Sequence, residues 1–256
     1  MSSPGDEQRY TYGYSPSAIE QMAGRSAERN AGFLFPFLHA GMHVLDCGCG
    51  PGSITLGLAE VVAPGEVVGI DIEPSQIDLA CSQAAQRGCT NVRFEVSDVL
   101  HLPYPDATFD AVFGHAIVMQ FQDPLPMLTE VYRVVKPGAV VGFREISHDG
   151  NLYEPQEGAR HQFLSLLIRM VQHNGADPFA GRQLGSWLVR AGFRRVTMAA
   201  TYESAGTPEE KQVAYERNAR LCDEAPWMEQ AIALGWISRE ARDRHSEPTP
   251  VVLHTR

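Results

Sequence analysis

The sequence predicts an α/β fold: a doubly wound, Rossmann-like, mostly parallel sheet with helices on both faces. Three observations carry the expectation. From residue 42, short apolar runs alternate with segments of helical spacing. Gly and Pro punctuate the joins, as in Ala63-Pro64-Gly65 and Lys136-Pro137-Gly138. A glycine-rich turn sits where the first strand hands over to the first helix of the alternation.

Taken in order, residues 1–15 are polar and carry Tyr10, Tyr12 and Tyr14. A helix is expected over Pro16–Asn30 and a short one over Gly32–His39. Met42–Cys47 reads as a buried strand, and Ser53–Val62 as a helix with Ile54, Leu58, Ala59 and Val62 on one face. Val67–Asp71 is a second strand. Pro74 opens a helix running to Arg87, with Gly88 as its C-cap. Val92–Val96 and Phe109–Phe113 are the third and fourth strands, Pro124–Val135 a helix, and Ala139–Ile146 the fifth strand. The second half is less regular. Leu152–Gly181 and Gln183–Ala191 are expected as helices, Arg195–Thr201 as a sixth strand, and Glu209–Asp223 and Trp227–Ile237 as helices. Pro250–His254 could supply a closing strand. The implied organisation is an N-terminal helical lid (1–40), a core (41–206) with a helical insertion at about 150–182, and a C-terminal helical extension (207–256).

Composition narrows the function. Of 256 residues, 31 are acidic and 21 basic, a formal net charge of −10, with no basic run. Nucleic-acid binding needs Lys and Arg to displace phosphate counterions, so a DNA or RNA partner is disfavoured. No apolar run reaches the length of a membrane span and no signal peptide is visible, which points to the cytoplasm. The five cysteines, at 47, 49, 81, 89 and 222, have no zinc-knuckle spacing and no His pair to complete a site, so no metal is expected.

The strongest signal is Val44-Leu45-Asp46-Cys47-Gly48-Cys49-Gly50-Pro51-Gly52. Glycines there let the backbone bend sharply and approach a ligand. A dinucleotide fingerprint would place its third glycine at position 53, which is Ser53. Asp46 beside the loop would repel a pyrophosphate and attract an ammonium or sulfonium group. The loop therefore suits a zwitterionic amino-acid moiety. Asp71, ending the second strand, reads either as a ribose-hydroxyl acceptor or as a helix N-cap. Asp98, just after the third strand, could meet an adenine amino group or simply shape a turn.

Together these residues resemble the class I methyltransferases that use S-adenosylmethionine, and within them the UbiE-like, type 11 group. The resemblance covers about residues 10–200, including the Arg25 and Asn30 helix, Asn91–Leu102, Asp106–Asp110 and Arg133–Gly138. It implies a seven-stranded sheet with an antiparallel last strand, and S-adenosylmethionine across the first two strand ends. By position it assigns the methionine and ribose cradle to Gly48, Gly50 and Gly52, with Asp46 beside them. It assigns the ribose to Asp71, the adenine to Ile72, Asp98 and Val99, and a further cofactor contact to Gln76. His115 falls near the methionine end, and Tyr14 and Arg25 among the cofactor or lid contacts. Arg25 could pair with the methionine carboxylate. Similar sequences carry a His where this one has Phe121, before Asp123-Pro124.

The expected activity is methyl transfer to a small-molecule metabolite, with carbon favoured and nitrogen or oxygen possible. A base is needed only where the nucleophile must lose a proton. His115 is the first candidate, or else a satisfied strand-end histidine. Glu145 is the second, or else an ion-pair partner of Arg144, and Tyr14 is a weaker third. Two other readings remain: an NAD(P)-dependent oxidoreductase, opposed by Ser53 and Asp46, and a non-catalytic ligand-binding protein on the same fold. The C-terminal helices could pair in a homodimer.

Overall fold

The computed structural model describes residues 10–152 and 159–246, and the chain divides into two units. A sheet unit takes residues 20–151 and 175–199. A helical unit takes the N-terminal residues up to 19, residues 152–174 and those from 200 onward.

The sheet unit holds β1 (Val44–Cys47), β2 (Val67–Asp71), β3 (Val92–Val96), β4 (Phe109–His115) and β5 (Val135–Arg144), all parallel, in the order β3-β2-β1-β4-β5. Every residue of β1 is buried, as expected of a central strand covered on both faces. Between the strands lie α3 (Ser53–Val62), α4 (Pro74–Arg87) and α5 (Leu125–Val134). The α3 face predicted from spacing packs Ile54, Leu58, Ala59 and Val62 against Val44, Val67, Ala111 and Phe113. Burying each of Ile54, Leu58 and Val62 contributes about 2 kcal/mol. The α4 helix starts at Pro74 behind the Glu73 cap and stops at Gly88.

The expected N-terminal helix is two helices. Gly24-Arg25-Ser26 separates α1 (Pro16–Ala23) from α2 (Ala27–Ala31), and the Ser26 hydroxyl caps α2 by accepting from Arg29 N–H. The expected short helix is one 3₁₀ turn, Phe35–Phe37. The sheet has five strands among the described residues, not seven. No part of the Arg195–Thr201 segment is a strand. Arg195 takes the left-handed conformation at φ 57°, which breaks the alternation, and Met198 packs on Gly185 of α7 (Ala180–Arg190). The closing strand expected at Pro250–His254 lies outside the described residues.

The amino ends of the strands are sewn together. Asp110 accepts from His43 N–H at 2.9 Å and from Lys136 at 2.6 Å, and His43 Nε2 meets Glu66 at 3.2 Å. Asn91 donates to the carbonyls of Ala59 and Gly65 at 2.9 and 2.7 Å.

The helical unit contains α6 (Ala159–His173), α8 (Pro208–Glu224), α9 (Pro226–Ala233) and α10 (Arg239–Ser246). The last was not apparent in the sequence. Met170 and Met228 are fully buried, Phe163 stacks near Trp227, and the Arg169 guanidinium lies 3.7 Å over Trp236. Asn174 donates to Thr11 at 3.1 Å and accepts from Gln230 at 2.8 Å. Thr207 and Glu210 form the reciprocal cap of α8.

Candidate active site

The sheet changes winding direction between β1 and β4, and the crevice beyond their carboxyl ends is where such folds bind ligands. The Gly48–Gly52 bend rises from β1 at that point. Gly48 and Gly52 are left-handed, at φ 69° and 81°. A Cβ at Gly52 would lie 2.8 Å from Phe94 and 2.9 Å from Ala80, and one at Gly48 would lie 2.7 Å from Ile117 Cδ1. Conformation and space both demand glycine.

Asp71 fastens this bend to the end of β2. One carboxylate oxygen accepts from Gly50 N–H at 2.9 Å and the other from Glu73 N–H at 3.0 Å. Burial pushes its pKa up, and the N–H donors pull it back. Each oxygen keeps a second lone pair for a hydroxyl. Its N-cap alternative is not seen, because Glu73 caps α4.

Asp46 lies inside the sheet rather than on the loop surface. It is 2% exposed and accepts from Thr55 Oγ1 at 2.6 Å. Burial pushes its carboxyl up to about 7, against the Thr55 hydrogen bond, with the Asp71 charge adding to the rise. Thr55 went unnoticed in the sequence, although a hydroxyl nine residues beyond an acid, in the first turn of α3, was a visible signal.

On the β2–β3 side, Ile72 is 68% exposed while Val99 is buried. Asp98 shapes its turn by accepting from Leu100 N–H at 2.9 Å and faces His101 at 3.2 Å. Gln76, on the first turn of α4, is fully buried, yet neither its amide nitrogen nor its oxygen has a partner. A buried amide left this way costs about 1–3 kcal/mol and asks for a ligand or water.

On the β4–β5 side, His115 and Arg144 are register partners on neighbouring strands. Both reach α2: His115 Nε2 lies 3.2 Å from Asn30 Nδ2, and Arg144 donates to Arg29 O at 2.8 Å. The Asn30 oxygen already accepts from Ser26 N–H, so its amide nitrogen is the donor to His115. Nε2 is then an acceptor and the ring proton sits on Nδ1, a buried atom with no partner. Burial first, then the charges of Arg25 and Arg144, push the His115 pKa down to about 3. A neutral imidazole whose lone pair is occupied is a donor, not a base. Glu145 does not pair with Arg144 as the sequence allowed. Its carboxylate accepts three backbone N–H bonds, from Ile117, Val118 and Met119, at 3.0, 2.9 and 3.2 Å. Burial pushes its pKa up to about 7 and those donors oppose the rise. Tyr14 belongs to the helical unit, where it stacks with Tyr10 at 5.1 Å.

Sequence reasoning also missed Ile117 and the Ser53 hydroxyl, which donates to Met22 O at 3.0 Å. Among the described residues, no group of three or more His, Cys, Asp or Glu side chains could hold a metal ion.

Residues 38–189 match the model of a methyltransferase domain. The chain belongs to this methyltransferase family. An uncharacterized methyltransferase of Schizosaccharomyces pombe is 34% identical over 199 residues, 75% of this chain and 70% of that one. A demethylmenaquinone methyltransferase of Lactobacillus johnsonii is 31% identical over 180 residues, 65% of this chain and 74% of that one. Among solved structures, an S-adenosylmethionine-dependent methyltransferase from Aquifex aeolicus is similar, with a TM-score of 0.55 and 26% identity over 71% of this chain and 90% of that one. The methyltransferase uses S-adenosylmethionine, and its site fits that molecule. Gly48 of the bend is part-exposed, Asp71 keeps lone pairs for hydroxyls, Ile72 offers an exposed apolar face, and Gln76 and His115 hold unpaired polar atoms. No described helix is long and apolar enough to cross a membrane.

Proposed function

We propose that this methyltransferase moves a methyl group from S-adenosylmethionine to a nucleophilic atom of a small-molecule metabolite in the cytoplasm, with carbon favoured over nitrogen or oxygen. The observation that carries the reading is the state of His115. Held by Asn30 as an acceptor at Nε2, it offers a proton donor where a base would be needed for a weakly acidic nitrogen or oxygen nucleophile. An electron-rich carbon is nucleophilic before it loses its proton, so it places less demand on the site. The name of the Lactobacillus johnsonii relative, which acts on demethylmenaquinone, supports an apolar, ring-bearing acceptor.

When bound, S-adenosylmethionine supplies a methyl group activated by the sulfonium charge. The Gly48–Gly52 backbone cradles its methionine and ribose. Asp71 accepts from the ribose hydroxyls. Ile72 and Val99 flank the adenine, Asp98 meets its amino group, and Gln76 completes its polar contacts. Arg25 holds the methionine carboxylate. Asp46, from beneath the bend, adds negative potential in its ionised form, which favours the sulfonium. A contact from Tyr14 rests on the family resemblance alone.

The test incubates purified enzyme with methyl-labelled S-adenosylmethionine and a panel of enolisable and phenolic acceptors, followed by mass spectrometry and NMR of the product. Label on carbon supports the reading, and label only on nitrogen or oxygen overturns the preference. Tight binding of NAD in place of S-adenosylhomocysteine would restore the oxidoreductase reading.

A further inference from the structure

The turn after β4 is held in an unusual way. Ala116 is left-handed at φ 56°, a conformation that costs a residue with a side chain about 1–2 kcal/mol and persists only where its surroundings enforce it. Its own N–H is fixed by Arg144 O at 3.0 Å, and its carbonyl accepts from the Gln120 amide at 3.0 Å. The next three N–H groups, of Ile117, Val118 and Met119, converge on the Glu145 carboxylate. Successive N–H groups turned to one point form a cradle for an anion, and Glu145 is the anion that fills it.

The held turn leads to the cofactor bend. β1 and β4 are hydrogen-bonded neighbours, with Cys47 opposite Gly114. Ile117 fills the space beside both loops. Its Cδ1 is 2.7 Å from where a Cβ on Gly48 would stand, and its Cγ2 is 2.9 Å from the same position on Gly114. Turn and bend therefore meet through one side chain.

We infer that Glu145 is a positioning residue for the cofactor: its carboxylate holds the 116–120 turn, and Ile117 on that turn backs the bend at Gly48. The alternative is that Glu145 is a general base. Two of the three N–H bonds fall on one oxygen and the third on the other, so three of the carboxylate's four lone-pair sites are committed to the backbone and its orientation is fixed by the turn. This inference rests on assigning the Gly48–Gly52 bend to S-adenosylmethionine.

The test is calorimetric binding of S-adenosylhomocysteine, which carries no methyl group and needs no base, together with turnover. Wild type, Glu145→Gln, Glu145→Ala, Ile117→Ala and the double variant Glu145→Ala/Ile117→Ala are compared, each checked for folding by circular dichroism. Glu145→Ala is expected to weaken binding by about tenfold or more. Glu145→Gln keeps a carbonyl for Ile117 and Val118, so it should recover most of that affinity. Ile117→Ala should weaken binding several-fold, and in the double variant the losses should be less than additive, since both break one chain of contacts. Unchanged affinity in Ile117→Ala, or additive losses, overturns the inference. So does a result in which Glu145→Gln and Glu145→Ala lose turnover alike while binding as tightly as wild type, because that is the signature of a base. If Glu145→Ala does not fold, the Gln and Ile117 variants decide between the same outcomes. Wild-type protein that takes up no S-adenosylhomocysteine overturns the cofactor assignment and this inference together, whereas wild-type binding with no effect of the variants overturns this inference alone.

Discussion

The side-chain amide of Asn30 donates to Nε2 of His115 at 3.2 Å, and this one contact sets the tautomer at the end of β4. The imidazole is neutral, carries its proton on Nδ1, and resists a second one down to about pH 3. Below pH 6.5 the unfolded chain takes up a proton here that the folded chain refuses. The stability His115 contributes is therefore complete above pH 6.5 and is lost as pH falls toward 3. Asp46 and Glu145 have raised values and act in the opposite direction, so the variant and wild type must be compared directly. His115→Gln is expected to gain stability relative to wild type as pH falls from 6.5 to 4, read as the difference between their urea unfolding free energies at each pH. Nitrogen-resolved NMR of the wild type should show the proton on Nδ1 throughout, and a proton on Nε2 would contradict the Asn30 assignment.

Asp71 fastens the bend and, in the proposed reading, also holds the ribose. Asp71→Ala removes the acceptor of Gly50 N–H and the proposed partner of the ribose hydroxyls, so S-adenosylhomocysteine affinity should fall by more than about tenfold, or about 1.4 kcal/mol. The fold should survive, as judged by an unchanged circular dichroism spectrum. Retained affinity would remove Asp71 from the ribose assignment.

Asp46 costs the folded state something when charged. Its carboxyl sits at about 7, so the stability tied to its neutral form is full below pH 3.8 and is lost as pH rises through 7. Asp46→Asn abolishes that dependence. Its stability relative to wild type should improve by about 2–4 kcal/mol between pH 4 and pH 8. A constant difference across that range would mean that the carboxyl titrates normally.

Gly52 admits no side chain. Gly52→Ala meets Phe94 and Ala80 inside 3 Å in a left-handed conformation, and a loss of about 2–4 kcal/mol is expected from steric overlap and backbone strain together. Thermal melting reads this directly, and a melting temperature equal to wild type would show that the bend can relax.

The first half of the fold was legible because its signals are local. Ser53–Val62 and Pro74–Arg87 lie where spacing and the Pro and Gly stops put them, and β2 and β3 match their apolar runs residue for residue. Arg195–Thr201 misled because Val196 and Met198 alternate as strand residues do, while the left-handed Arg195 and the fit of Met198 against Gly185 are properties of packing that no alternation records. The glycine bend and Asp71 could be read because their residue types are constrained by conformation and charge. The setting of Glu145 could not, since its partners are main-chain N–H groups 26–28 residues earlier, and a main-chain donor has no sequence signature. Asp46 was seen as an acid near the loop, but its burial beneath the loop depends on Thr55 and on the strands to either side.

The ties among His43, Asp110, Lys136 and Asn91 leave the two rims of the sheet with different freedoms. One rim is closed by bonds satisfied within the chain, and the other keeps donors and acceptors open to a guest. Substitutions along the open rim can therefore change what is bound without loosening the scaffold, whereas change at the closed rim threatens the scaffold first.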